Sequence, residues 1–328
     1  LAATLLLAVF VLIVAAAAQW VTLRARVETD AVAAEQAEQH TRQLAAELQK
    51  FRLLPVALSE YPDLHAVLDG GGPKVVESLN GKLESLADQT DAAEIYVIDR
   101  DGRTLAASNW REPGSFVGQN FSFRPYFRNA LANGTAELFA VGTVTGRPGF
   151  FIARRIDEGP RALGVIVVKI DFADMEKQWS RDSGATMVVE SHGIIIITGR
   201  DDWRFRALHP LSASEREDLR RTMQFGSLPL ALLRTRTEAH SDIKLPDEQD
   251  PYRVAMKSPV IEGSRLYHFE PLAPARARAA ADARLLALAG LVIVFSTFAV
   301  YWRVHTGRLA QIDRRNLLEK EVSLRTAE

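Results

Sequence analysis

Two long runs without a charged residue limit what this chain can fold into. The first covers Leu1–Leu23 and the second covers Leu285–Trp302. As an α-helix that rises about 1.5 Å per residue, the shorter run is about 27 Å long, close to the hydrocarbon thickness of a bilayer. Trp20 and Trp302 lie near the ends of the runs, where interfacial aromatic residues are typical. The sequence therefore predicts two membrane helices, with residues 24–284 outside the membrane between them.

The first run leaves a second interpretation open, a cleaved signal peptide, because it ends in the Ala-rich stretch AAAAQW. Its length exceeds a usual signal-peptide core, which favours a membrane helix. Positive charges flank the second run on both sides, and their count favours a cytoplasmic C-terminus. The arginines after this run are Arg303, Arg308, Arg314 and Arg315, and those before it are Arg276, Arg278 and Arg284.

Composition excludes several classes of function. The 328 residues carry a formal net charge of −1, so no basic surface favours nucleic acid as a partner. Cysteine is absent, which excludes disulfides and thiolate metal sites. No metal-spaced histidine cluster and no Ser/His/Asp set is visible, so a hydrolytic enzyme is the weakest alternative. We expect no metal, no cofactor and no catalytic residue within this chain.

The segment after the first run predicts a long helix. It is rich in Ala, Glu, Gln and Leu, and it contains neither glycine nor proline before Pro55. Apolar residues recur in it at helical spacing, at Leu44, Leu48, Phe51 and Leu54. We therefore expect a stalk helix and a helical connection over residues 24–90.

Residues 91–175 then predict an antiparallel sheet with helices on one face. The Asp101-Gly102 pair between two apolar runs is a hairpin signal. A short helix follows, with Ser122 as its cap, Pro125 in its first turn and Gly134 at its end. Three strand candidates complete the unit, at 136–142, 149–156 and 163–171.

The pattern partly repeats over residues 176–274, with a hairpin at His192-Gly193, a helix near 212–224 and two further strands. The fold class is therefore α+β, with two tandem modules of the PAS-like kind on a long N-terminal helix between two membrane helices. A coiled-coil stripe is the expectation for the tail, at Leu309, Ile312, Leu317, Leu318, Val322 and Leu324. The predicted division of the chain is 1–23, 24–90, 91–175, 176–274, 275–302 and 303–328.

Arg124 is the residue that points to a binding site. It lies in NFSFRPYF among aromatic rings, and a guanidinium cannot lose its proton to suit an apolar site. Thr143 follows beside Gly142, and Lys169 ends an apolar strand. An arginine and a lysine in one ring-walled pocket suit a ligand with two carboxylates. Alternatives stay open, because Arg124 could pair with Glu137 or Asp171, and Lys169 could extend from its strand end to solvent.

Three segments resemble a known family: SFVGQNFSFRPYFRNALANG, AVGTVTGRPGFFIARRI and GVIVVKID. They are similar to the extracytoplasmic sensor of bacterial C4-dicarboxylate sensor histidine kinases, which has the double Cache arrangement of two PAS-like modules. WRFRALHPLSASEREDLRRTMQFGSLPLALL resembles its second module.

The resemblance implies that Arg124 and Lys169 hold the two carboxylates and that Thr143 adds a hydrogen bond. Tyr126 belongs to the implied pocket as well. The chain departs from the family where Phe121 and Phe151 stand in place of tyrosine and where Gly142 stands in place of a common serine, which removes hydroxyls from the pocket. The implied function is a periplasmic sensor in the bacterial inner membrane. We expect a homodimer, because a coiled-coil tail needs a partner.

The resemblance also implies a kinase core that uses ATP and passes a phosphoryl group to a cytoplasmic response regulator. No histidine of this chain is followed by glutamate as in a phosphoacceptor box, so we expect that core beyond Glu328. Two further alternatives stay open: a chemoreceptor input domain for another small carboxylate, and a scavenger or structural membrane protein without a signalling role.

Overall fold

The first apolar run and the polar segment after it form one continuous helix, α1 (Ala2–Ser59), in a computed structural model of the chain. The structure describes residues 2–246, 248–259 and 261–326. The second apolar run lies in another long helix, α7 (Leu272–Thr326). Both helices are long and apolar enough to cross a membrane by length and composition. The coiled-coil stripe predicted from Leu309 to Leu324 lies outside the described side chains.

The chain divides into two compact units, one of Leu1–Thr29 with Leu272–Glu328 and one of Asp30–Pro271. In the first unit, apolar side chains of the two long helices form a buried cluster. Its members are Ala25, Leu272, Ala275 and Ala279. The second unit contains all the strands and is described below.

Two short helices and a five-stranded sheet follow α1. The helices are α2 (Pro62–Leu68) and α3 (Pro73–Thr90). The sheet has the antiparallel order β2-β1-β5-β4-β3. In chain order its elements are β1 (Glu94–Asp99), β2 (Thr104–Ala107), α4 (Pro125–Asn133), β3 (Thr135–Val141), β4 (Pro148–Glu158) and β5 (Arg161–Ile170).

Helices cover both faces of this sheet, so the prediction of helices on one face was wrong. Ile166 and Val168 of β5 pack in one cluster with residues of α1, α2 and α3. Val165 and Val167 pack on the opposite face against Tyr126 and other residues of α4. The reason is visible in β5, where consecutive apolar side chains point to alternate faces and both faces require cover.

A second sheet, with six strands in the order β7-β6-β11-β10-β9-β8, forms the rest of this unit. A short helix, which the sequence reading missed, leads into it. The elements are α5 (Ala173–Trp179), β6 (Ala185–Val189), β7 (Ile195–Thr198), α6 (Ala213–Thr222), β8 (Arg236–Thr237), β9 (Ile243–Lys244), β10 (Tyr252–Lys257) and β11 (Arg265–Pro271).

The long helix α1 contacts both sheets. Arg52 of α1 forms an ion pair with Glu137 of β3, at 2.5 Å. About three turns closer to the N-terminus of α1, the Nδ1 atom of His40 lies 2.9 Å from the hydroxyl of Thr186 in β6. That hydroxyl also lies 2.8 Å from the Nδ1 atom of His268 in β11. The polar half of α1 therefore runs along both sheets and is anchored to each.

Candidate functional site

The candidate site begins where helix α4 begins. Arg124 is the residue before its first turn and has extended backbone, and Pro125 occupies the first helical position, as predicted. Gly134 ends the helix at a φ of 92°, also as predicted. Ser122 does not cap the helix, and this prediction was wrong, because its hydroxyl donates to the side-chain oxygen of Asn120 at 2.6 Å. The helix start thus holds the Arg124 side chain at the edge of the sheet.

The guanidinium of Arg124 is buried without an acidic partner among the described residues. Its residue is 1% exposed. Its two terminal nitrogens donate to backbone carbonyls, to Met223 O at 3.0 Å and to Val141 O at 2.6 Å. Burial lowers the pKa of Arg124 from its ordinary value. Two carbonyl acceptors leave donors of the guanidinium available, since it has five N–H groups.

The two acids weighed as partners for Arg124 have other contacts. Glu137 accepts two hydrogen bonds from Arg52, at 2.5 and 2.6 Å. Asp171 accepts from the backbone N–H of Ala173 at 3.2 Å. Neither acid forms an ion pair with Arg124, whose charge has no acidic partner within the described part of the chain.

Aromatic rings wall the space beside this guanidinium. The rings of Tyr126 and Phe151 stack with centroids 5.0 Å apart. Tyr96 meets Phe116 edge to face at 5.1 Å and Phe121 at 5.7 Å. Together with Arg124, Gly142, Thr143 and Val144, these rings line a cavity of about 10 Å³. Such a cavity has room for about one water molecule, so a larger ligand must open the pocket.

Two tyrosine hydroxyls lie inside this cluster. Those of Tyr96 and Tyr126 are 2.8 Å apart and hydrogen-bonded to each other. Burial raises the pKa of both groups, so both keep their protons at neutral pH. One of the two protons is used in the mutual hydrogen bond, and the other is available as a donor. The hydroxyls that sequence reading expected to be missing at Phe121 and Phe151 are thus partly replaced from other positions.

The turn after β3 closes the pocket. The N–H of Gly142 donates to Arg147 O at 2.9 Å, and the N–H of Gly146 donates to Gly142 O at 2.9 Å. A Cβ atom on Gly142 would lie 2.7 Å from the Thr145 hydroxyl and 3.2 Å from Arg147 O, so a larger residue requires the Thr145 side chain or the turn to shift. Thr143 and Val144 are exposed in this turn. The Thr143 side chain thus lies at the mouth of the cavity.

Lys169 lies next to the pocket, but it is not a free cation. Its ammonium is 2.9 Å from Oε2 of Glu94, and the two side chains are 1% and 10% exposed. The prediction that Lys169 lies in the pocket for a ligand carboxylate did not include this protein partner, and the alternative that Lys169 extends to solvent was wrong. The strand register is the reason, because β1 and β5 place Glu94 directly opposite Lys169.

Lys169 nevertheless faces the side of the sheet on which Arg124 lies. β4 pairs Phe151 with Lys169, and the ammonium is 5.9 Å from the centroid of that ring. A Cβ atom on Gly142 would lie 3.9 Å from the ammonium nitrogen. The Glu94–Lys169 pair therefore lies just behind two of the residues that line the cavity.

The structure brings all seven residues singled out from the sequence to one location. Six of them line the cavity, namely Arg124, Thr143, Phe121, Gly142, Tyr126 and Phe151. Sequence reading missed Tyr96, Phe116 and Val144, which also line it, and Glu94 beside Lys169. The alternation in EIYVID was the available signal, since it places Glu94 and Tyr96 on one face of β1.

Comparison with known proteins identifies the family. A family model described as Cache domain matches residues 24–245. The chain belongs to the Cache domain family. The match covers the first sheet and strands β6 to β9 of the second, so the Arg124 pocket lies within the Cache domain region.

The relatives of this Cache chain include sensor proteins. It is 37% identical over 299 residues to the C4-dicarboxylate transport sensor protein DctB of Rhizobium meliloti (strain 1021), covering 86% of this chain and 48% of that protein. It is 37% identical over 177 residues to the protein of the same name from Pseudomonas aeruginosa, covering 54% of this chain and 29% of that protein. The chain thus spans about half the length, or less, of these curated relatives.

A solved structure is similar as well. The crystal structure of the V. cholerae histidine kinase DctB sensor domain has a TM-score of 0.66 and 28% sequence identity. The match covers 72% of this Cache chain and 95% of that domain.

Proposed function

We propose that this chain is the sensor portion of a two-component histidine kinase and that the pocket at Arg124 binds C4-dicarboxylates such as succinate, fumarate or malate. One observation carries the proposal: a buried guanidinium without an acidic partner among the described residues, facing a ring-walled cavity. A carboxylate supplies the missing charge and accepts two parallel hydrogen bonds from such a group. The 37% identity to proteins named as C4-dicarboxylate transport sensors supports this ligand class.

Each residue of the pocket has a role in this proposal. Arg124 binds one carboxylate of the ligand, and the free hydroxyl proton of the Tyr96–Tyr126 pair donates to it. Thr143 donates from the mouth of the cavity. Lys169 binds the second carboxylate after it leaves Glu94. Phe121 and Phe151 supply apolar walls, and Gly142 allows close approach of the ligand to the backbone.

The small size of the cavity suits a switch. A dicarboxylate does not fit into about 10 Å³, so the turn at Gly142–Arg147 or the rings must move when it binds. A ligand shifts a conformational equilibrium only by its difference in affinity for the two states. Binding that requires opening provides such a difference.

The signalling part of the proposal follows the predicted division of the chain. Residues 91–175 and 176–274 form two tandem modules of the double Cache arrangement in the periplasm, with ligand bound in the membrane-distal one. Residues 1–23 and 275–302 cross the inner membrane, and residues 303–328 begin a cytoplasmic signalling helix. A homodimer passes the change to a kinase core that uses ATP and phosphorylates a response regulator.

Calorimetric titration of residues 24–284 with succinate, fumarate and malate tests the proposal. We expect dissociation constants near the micromolar range, about −8 kcal/mol, because a few charge-assisted hydrogen bonds supply that free energy. Acetate serves as the comparison ligand, since it has one carboxylate only and binds more weakly. A folded wild-type protein that gives no heat with any dicarboxylate contradicts the proposal.

One observation keeps a second candidate, a chemoreceptor input domain for an amino acid. Glu94 is an acid beside the pocket, and a carboxylate can receive the ammonium of an amino-acid ligand. Its partner Lys169 occupies it at 2.9 Å, which favours the dicarboxylate. Titration with L-alanine separates the two, because only the second candidate expects an amino acid with a single carboxylate to bind.

A further inference from the structure

Glu94 has a contact that the proposed ligand must disturb. Its Oε2 atom lies 2.9 Å from Nζ of Lys169, and neither side chain reaches bulk solvent to a large extent. That oxygen is buried and accepts no hydrogen bond of good geometry within the described residues. The pair therefore depends on its opposite charges.

The charges around the pocket add up to a small positive sum. Arg124 and Lys169 are cations and Glu94 is an anion, so the three contribute +1. The other titratable groups that line the cavity within the described residues are the hydroxyls of Tyr96 from β1 and Tyr126 from α4. Burial raises the pKa of both hydroxyls, so they add no charge at neutral pH.

A bound dianion changes the sign of this sum. With two carboxylates added, the three groups and the ligand together carry −1. If Lys169 turns to the ligand, Glu94 is left as a buried anion without a cation beside it, which is strongly unfavourable. A proton on Glu94 removes this charge and restores neutrality at the site.

We propose that Glu94 takes up one proton from solvent when a dicarboxylate binds, and that it thereby makes the affinity of the site depend on pH. This inference rests on the proposed function. Each site binds one dianion and one proton. Lys169 exchanges its ion pair with Glu94 for one with the ligand, and no other group changes its charge.

Calorimetry of the full chain in nanodiscs tests the inference. Succinate is titrated at about pH 7.5 in buffers with different ionisation enthalpies, and the dependence of the observed heat on buffer gives the number of protons bound. We expect about one proton per site for the wild type, and a roughly tenfold weaker affinity for each unit of pH increase.

Two variants sharpen the test. In Glu94→Gln the buffer dependence disappears, and the affinity at about pH 7.5 equals or exceeds that of the wild type, because Lys169 no longer has a competing carboxylate. Glu112→Gln, at an exposed position of the same part of the chain, keeps the wild-type buffer dependence.

The outcomes distinguish proton uptake by Glu94 from dicarboxylate binding itself. Succinate binding without buffer dependence in the wild type overturns this inference and leaves the proposed function intact. Unchanged proton uptake in folded Glu94→Gln also overturns it, because the proton then goes elsewhere. A wild type that binds no dicarboxylate at all ends the proposed function and this inference with it.

Discussion

Replacement of Arg124 by methionine separates a ligand-binding arginine from a structural one. Methionine has a similar length and fills the same buried space without charge. The substitution removes the hydrogen bonds to Met223 O and Val141 O. At about 1.5–3 kcal/mol for each bond from a charged group, their loss destabilises the fold by about 3–6 kcal/mol.

A second effect has the opposite sign. The guanidinium is 1% exposed and has no acidic partner among the described residues, so burying its charge costs several kcal/mol (on the order of the hydrogen-bond loss). Arg124→Met removes this cost as well. We therefore expect the free energy of unfolding of the ligand-free protein to change by no more than about 2 kcal/mol.

Ligand binding has no such compensation. Loss of two charge-assisted hydrogen bonds to a carboxylate costs about 3–6 kcal/mol, which weakens dicarboxylate binding by roughly two to four orders of magnitude. Urea unfolding measures the first quantity and calorimetric titration measures the second. Arg155→Met is the matched control, since Arg155 also donates to a backbone carbonyl, Leu131 O at 3.0 Å, but lies outside the pocket lining. It should keep full affinity.

The reverse pattern of stability and binding would assign Arg124 a structural role. If Arg124→Met unfolds far more easily than Arg155→Met and the folded fraction still binds succinate normally, Arg124 holds the fold together and does not bind the ligand.

Two further substitutions test the fold around the site. Burial raises the pKa of Glu176 from 4.5 to about 7. The folded state therefore binds this proton more tightly than the unfolded chain does. As the pH rises from about 4.5 to 7, the free energy of unfolding falls by at most about 3 kcal/mol. Urea unfolding of Glu176→Gln should lose this decrease and Asp174→Asn should keep it; an equal slope in all three proteins contradicts the assignment. Ser212 and Glu215 form a capping box at the start of α6. Ser212→Ala should therefore lower the free energy of unfolding by about 1 kcal/mol, and Ser214→Ala, at an exposed position, by much less. Equal effects of the two substitutions would exclude a stabilising cap.

The sequence predicted most elements of the first sheet because each strand is a short apolar run between turn residues. It also predicted that Arg124, Thr143 and Lys169 belong to one location, since the segments that carry them resemble the sensor family. The predicted strands 149–156 and 163–171 are close to β4 and β5.

The sequence could not predict the partner of Lys169. Glu94 is far from it along the chain, and only the pairing of β1 with β5 brings them together. Tyr96 was missed for a related reason, because its ring reaches the pocket from a strand that reads as ordinary core. Contacts between side chains on neighbouring strands depend on the strand register, which the sequence pattern of a single strand does not determine.

The hydrogen bond from Arg124 to Met223 O joins the pocket to the part of the chain that carries the second sheet. Nearby, the side chain of Gln224 donates to Phe139 O at 3.0 Å, so the same junction has a second tie. In the proposed function, a ligand carboxylate binds other N–H groups of the guanidinium that also donates to Met223 O. By thermodynamic reciprocity, if ligand binding changes the stability of this junction, the junction changes the affinity for the ligand by the same factor. In the proposed function, the Arg124 side chain therefore couples ligand binding to the contact between the pocket and the segment that contains Met223.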